Sequence, residues 1–133
     1  MKLLDTDTCI GLLKGDAAVV AAWRSCEDQC ALPSMAVGEL YYGAFRSTVR
    51  EEELNRVAMF VDIFPEIQPS KRSMRRFGEI KANLELKGTR LADADIIIAS
   101  IAIEEGFTLI TGNLKHYSRI EGLAIENWFE RSQ

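Results

Sequence analysis

Four carboxylates stand where residue type and spacing let them do chemistry: Asp5, Glu39, Asp93 and Asp95. Asp5 ends the apolar run Lys2-Leu3-Leu4 and opens Asp5-Thr6-Asp7-Thr8. A buried strand of an open α/β sheet ends at the crevice where such sheets bind ligands, so Asp5 should emerge there. Glu39 falls mid-helix, one position off the apolar stripe, with the small residues Ala36 and Gly43 on its own face. Asp93 and Asp95 flank Ala94 at the start of an almost wholly apolar helix (Ile96, Ile97, Ile98, Ala99, Ile101, Ala102, Ile103), whose burial should set its first turn against the same edge. Carboxylates brought together repel unless a cation neutralises them, which makes a divalent metal the first chemistry to consider. Oxygen-only donors suit magnesium or manganese rather than zinc. Such an ion activates water and stabilises charge developing on a phosphodiester. No serine or cysteine nucleophile with a histidine base is visible, so direct attack by water is the economical mechanism.

Each acid also has a plainer reading. Asp5 suits a turn or a helix cap, but Asp7 and Thr8 are better placed for capping, which frees Asp5 for a metal. Glu39 alone reads equally well as an exposed helical glutamate. Asp93 is placed as an N-cap, and Asp95 in the first turn is favoured by the helix dipole, leaving Asp95 the stronger ligand candidate. Thr111-Gly112-Asn113 follows the strand Phe107 to Ile110 and joins the same edge. Thr6, Thr111 and Asn113 are read as supports behind the ligands.

These residues need a scaffold, and 133 residues suffice for one domain with a real core. Strands are predicted at Lys2 to Leu4, Gln29 to Leu32, between Pro65 and Pro69, Phe107 to Ile110 and Ala124 to Glu126. Helices are predicted at Thr8 to Lys14 capped by Asp7, Ala17 to Cys26, and Ser34 to Phe45 with Ser34 as N-cap. Three more follow at Arg50 to Asp62, Ser70 to Lys87, and from Asp93 or Ala94 to Gly106. The alternation implies a three-layer α/β/α sandwich around a central, mainly parallel sheet.

The formal charge of −4 excludes a uniformly basic surface, yet residues 71–90 carry +5 and leave −9 elsewhere. A basic helix is usually a solvated face, and beside an acidic metal pocket it also serves phosphates. Arg72, Arg76 and Arg90, with Lys115 beyond the Phe107 to Ile110 strand, are the cations expected to contact phosphates. Cys9, Cys26 and Cys30 lack paired Cys-x-x-Cys spacing, which supports neither a disulfide framework nor a zinc site and suggests small buried thiols. The apolar start is interrupted at once by Asp5 and Asp7, unlike a signal peptide, and the longest apolar run meets Glu104 too soon to span a bilayer. A cytoplasmic protein with no membrane association is expected.

Taken in order, these motifs resemble the PIN domain: Leu3-Leu4-Asp5-Thr6-Asp7, Ser34-x-x-x-x-Glu39-Leu40-Tyr41-Tyr42-Gly43, Asp95-x-x-Ile98-Ala99 and Thr108-Leu109-Ile110-Thr111-Gly112-Asn113. The likeness is greatest to the VapC-type toxins of toxin–antitoxin pairs, and it continues through Ile120-Glu121-Gly122-Leu123 to Glu126-Asn127-Trp128. It implies a magnesium-dependent endoribonuclease that cleaves RNA, often tRNA, and is inhibited by a small cognate antitoxin. Carried over by position, Asp5 and Asp95 are the principal magnesium ligands and Glu39 the third acid. Asp7 departs from the family's frequent Asp-Thr-Asn. Asn113 stands where many PIN domains have a fourth Asp, so Asn113 through water, or Asp93, would replace it. Two rival classes remain at this stage. Asp5-Thr6-Asp7 is also similar to the opening of haloacid-dehalogenase-type phosphatases, in which Asp5 would be a nucleophile, although Cys9 stands where that family has Thr or Val. The other is a non-catalytic interaction domain: Tyr41, Tyr42, Phe45, Met59 and Phe60 exceed what one core face requires and offer a homodimer or antitoxin surface.

Overall fold

The alternation of short apolar runs with amphipathic segments folds into five strands and seven helices among the described residues. The computed structural model describes residues 1–129. In chain order they are β1 (Lys2–Leu4), α1 (Thr6–Leu13), α2 (Ala17–Ser25), β2 (Cys30–Pro33), α3 (Ser34–Arg46), α4 (Arg50–Val61), β3 (Glu66–Ile67), α5 (Lys71–Leu86), α6 (Asp93–Glu105), β4 (Thr108–Ile110), α7 (Leu114–Tyr117) and β5 (Ile125–Glu126). The strands form one sheet in the order β3-β2-β1-β4-β5, every pair parallel.

Successive residues of a strand point to opposite faces, and the two halves of the core follow that rule. Leu3, Ala31 and Leu109 face α5 and α6, where they meet Ile80, Leu84, Ile98 and Ile101. Leu4, Leu32 and Ile110 face α1 to α4, where they meet Cys9, Val19, Leu40, Val57 and Phe60. The result is the expected α/β/α sandwich. α6 is apolar almost all round because the sheet and α5 cover most of it.

Helix ends, and one short helix not predicted, α7, account for the differences from the sequence reading. α1 begins two residues early, at Thr6, and its N-cap is Asp5 rather than Asp7. α3 is preceded by Pro33 with no side-chain cap, since the Ser34 hydroxyl is drawn to Glu66 Oε2 at 2.7 Å across the sheet. Ala92, not Asp93, precedes α6, again without a side-chain cap. α5 carries a reciprocal cap, in which Ser70 and Ser73 each accept the other's backbone N–H. Ser70→Ala should therefore lower the unfolding free energy by about 1 kcal/mol, read from denaturant melts.

Of the surplus apolar side chains, Phe60 is buried and Tyr41 packs against the core, while Tyr42, Phe45 and Met59 are exposed. No helix among the described residues is long and apolar enough to cross a membrane.

Candidate active site

Strand order locates the site. From β1 the chain steps outward through β2 to β3, then returns to add β4 and β5 on the other side of β1. That reversal opens a crevice beyond the carboxyl ends of β1 and β4. Leu4 pairs with Ile110, so the residues that follow them, Asp5 and Thr111, come out side by side. The Asp5 N–H and the Thr8 hydroxyl both donate to the Ile110 carbonyl at 3.0 Å, which ties the turn after β1 to β4.

Asp5 is 5% exposed, and its Oδ1 accepts the Thr8 N–H at 2.8 Å as the cap of α1. The cap bond engages Oδ1 and holds the Asp5 carboxylate at the carboxyl end of β1. Burial pushes the Asp5 pKa above the usual carboxylate range, against hydrogen bonds from Thr111 and Thr8 that lower it. Asp95 lies in the first turn of α6, and its pKa is raised as well, by burial first, while a hydrogen bond from Tyr117 and the proximity of His116 oppose the shift. The charge of Asp7 adds to both shifts. Asp7 is thus an exposed rim acid rather than the helix cap.

Glu39, on α3, is half-buried and accepts the Thr6 hydroxyl at 2.6 Å, a link between α1 and α3. Tyr117 brings the acids into one environment. It is 2% exposed, and the charges of Asp95, Asp5 and Glu39 all act on its hydroxyl. Burial above all, then those charges, drive its pKa far upward, so the phenol stays protonated and remains a donor. If Asp5 and Asp95 hold an ion, Tyr117→Phe, which removes the hydroxyl from their surroundings, should lower metal affinity about 10- to 100-fold, measured by calorimetric titration.

Asn113 is oriented by two bonds, its N–H to Thr111 Oγ1 at 2.9 Å and its amide nitrogen to His116 Nδ1 at 2.8 Å. Beside it Gly112 leaves room for the Phe129 ring, which a Cβ would meet at 2.9 Å.

Other expected site residues lie elsewhere. The Asp93 carboxylate is exposed and pairs with Lys81 Nζ of α5 at 3.0 Å, away from the other acids. Arg72 and Arg76 both bind Glu104, at 3.1 and 2.8 Å, and Arg76 also binds Glu79. Because α5 runs antiparallel to α6, these two arginines sit at the far end of α6, about 13 Å of helix from Asp95. Arg90 is exposed in the loop leading into α6, and Lys115 is exposed on α7. The basic run is consequently split between two ends of the fold.

The donor set bears directly on a metal. Asp5 and Asp95 are carboxylates held in poorly solvated positions, and no lysine or arginine is among the neighbours that act most on either. Among the described residues no three His, Cys, Asp or Glu side chains converge closely enough to hold one ion together. A large, fully proteinaceous cage of the calcium kind does not fit this geometry. Two carboxylates are compatible with a divalent ion that keeps several waters of its own.

Comparison with known proteins places the fold in a family. The PIN domain matches residues 2–123. Ribonuclease VapC2 of Rickettsia felis is 36% identical over 98 residues, 74% of this chain and 73% of the relative. A tRNA(fMet)-specific endonuclease VapC of Salmonella typhimurium is 31% identical over 127 residues, 95% of this chain and 96% of the relative. In the crystal structure of VapBC2 from Rickettsia felis bound to a promoter DNA fragment, one chain superposes with a TM-score of 0.89 at 30% identity, covering 96% of this chain and 98% of that one. The chain belongs to the PIN-domain family, in its VapC ribonuclease branch.

Proposed function

We propose that this chain is a divalent-metal-dependent endoribonuclease, the toxin of a toxin–antitoxin pair, which hydrolyses phosphodiester bonds in structured RNA such as tRNA. The observation that carries the chemistry is the group of Asp5, Asp95 and Tyr117 at the switch point of the sheet, all three with burial-perturbed ionisation. Relatives with RNA in their names and VapBC complexes among the similar structures support the substrate and a small antitoxin partner.

In this reading Asp5 and Asp95 hold the ion, magnesium or manganese. The bound ion supplies a Lewis acid that lowers the pKa of water and offsets negative charge on the phosphate. The α1 cap fixes the Asp5 carboxylate, and the protonated Tyr117 phenol stands in the field of Asp95. The Thr6 hydroxyl holds Glu39 facing the same space, as the acid available to accept a proton from attacking water. Arg90 and Lys115, exposed near the Asp95 end of the fold, are the cations available to RNA phosphates. Neither the phosphatase nor the non-catalytic reading has a comparable observation behind it.

The deciding measurement is induction in cells followed by mapping of new RNA 5′ ends. Ends should accumulate at a few sites in exposed loops, where bases are free to be recognised, and co-expression of the adjacent antitoxin gene should suppress them. An unaltered RNA end profile after induction would sink the nuclease assignment.

A further inference from the structure

Away from the acids, at the opposite ends of β1 and β2, two thiols meet across a turn. Cys26 is the C-cap of α2 in extended conformation, and Cys30 is the first residue of β2. The turn between them folds both sulfurs onto one backbone oxygen: Cys26 Sγ lies 3.5 Å and Cys30 Sγ 3.8 Å from the Asp28 carbonyl. Cys30 is buried, whereas Cys26 is only partly so and lines an open cleft of about 780 Å³ together with Lys2, Asp28 and Glu126. Lys2 Nζ stands 3.7 Å from Asp28 and 3.8 Å from Glu126, so its charge is shared between two carboxylates. The third cysteine, Cys9, is fully buried against the Leu4 carbonyl and has no thiol neighbour of this kind.

We propose that Cys26 and Cys30 are a dithiol site that closes to a reversible intramolecular disulfide, formed by exchange with a low-molecular-weight disulfide entering through the cleft at Cys26. The Cys26 thiolate, its proton given to solvent, attacks one sulfur of the small disulfide. A Cys26–S–S–R bond forms and one RS⁻ leaves, taking up a proton as RSH. Cys30 then loses its proton and attacks the Cys26 sulfur, forming Cys26–S–S–Cys30 and releasing the second RSH. Two protein thiols are oxidised by two electrons, and one small disulfide is reduced to two thiols. Cys30 is slow to ionise while Cys26 is a free thiol, because burial first and the neighbouring thiol next push its pKa up to about 12. Cys26, the more exposed of the two, is the one a disulfide entering the cleft meets first. The bond joins the end of α2 to the start of β2, remote from Asp5, and leaves the acids untouched. This inference does not depend on the nuclease reading.

The test equilibrates the full chain with oxidised and reduced glutathione, quenches with acid, and maps tryptic peptides by mass. Cleavage after Arg24 and Arg46 puts Cys26 and Cys30 in one peptide and Cys9 in another. The peptide 25–46 should lose two hydrogen atoms while Cys9 stays a thiol. Cys30→Ala should instead retain glutathione on Cys26, and Cys26→Ser should leave Cys30 unmodified, with RNA cleavage unchanged in both. The bond in the native chain should survive about tenfold further into reduced glutathione than in the same chain in urea, the mark of sulfurs held together by the fold. A stable glutathione adduct on wild-type Cys26, a chain that stays fully reduced, or equal persistence in urea would each overturn the proposal.

Discussion

Asp5→Asn is expected to reduce RNA cleavage on the order of a thousandfold while leaving the fold at least as stable as wild type in chelator. The two halves of that result have one cause. Asparagine caps a helix as well as aspartate does, so the bond from the Thr8 N–H is kept. What the substitution removes is a carboxylate that burial holds above its ordinary pKa. A carboxylate with a raised folded-state pKa binds more protons in the native than in the unfolded state over the window between the two pKa values. Its favourable contribution is full at low pH and is lost as pH rises through the folded-state pKa. Metal-free wild type should therefore lose stability as pH climbs from about 4, and Asp5→Asn should flatten that slope. Initial cleavage rates and melting curves across pH read both effects. Near-normal cleavage, or a large fall in melting temperature, would mean that Asp5 is structural.

Why so much was legible is a matter of local physics. Buried parallel strands read as short apolar runs, and the glycines at the ends of α5 and α6, Gly88 and Gly106, adopt the left-handed backbone that marks a helix stop. The five strands and the long helices follow from such signals. What was hidden depends on tertiary partners. Asp5, Asp7 and Thr8 are all chemically fit to cap α1, and only the register of β1 on β4 selects Asp5. Asp93 looks like a cap until α5 brings Lys81 alongside it. Arg72 and Arg76 look like a phosphate-binding face until the antiparallel packing of α5 on α6 commits them to Glu104. Tyr117 escaped notice because a four-residue helix has no periodicity to read. Its one signal was chemical: a tyrosine just after the strand edge that carries Thr111 must bury its ring and find a partner for its hydroxyl.

Asp93 and Asp95 are two residues apart in sequence but differ in environment, and a metal titration should separate them. Magnesium or manganese at a hundredfold excess over its dissociation constant adds about 2.7 kcal/mol to stability. For a chain of this size that is on the order of 10 °C in melting temperature. The gain should grow with pH, because the ion competes with protons for Asp5 and Asp95, whose raised pKa values favour the protonated forms at the acid end. Chelation should reverse the gain and abolish cleavage together. Asp5→Asn and Asp95→Asn should each lose most of the shift. Asp93→Asn should keep it, since the Asp93 charge is already balanced by Lys81 at 3.0 Å. Loss of the shift in Asp93→Asn with its retention in Asp95→Asn would reverse the assignment and move the ion to the outer side of α6. Equal shifts in all three variants would show that the cation binds elsewhere on this acidic chain, and that the buried carboxylates at the switch point are not its ligands.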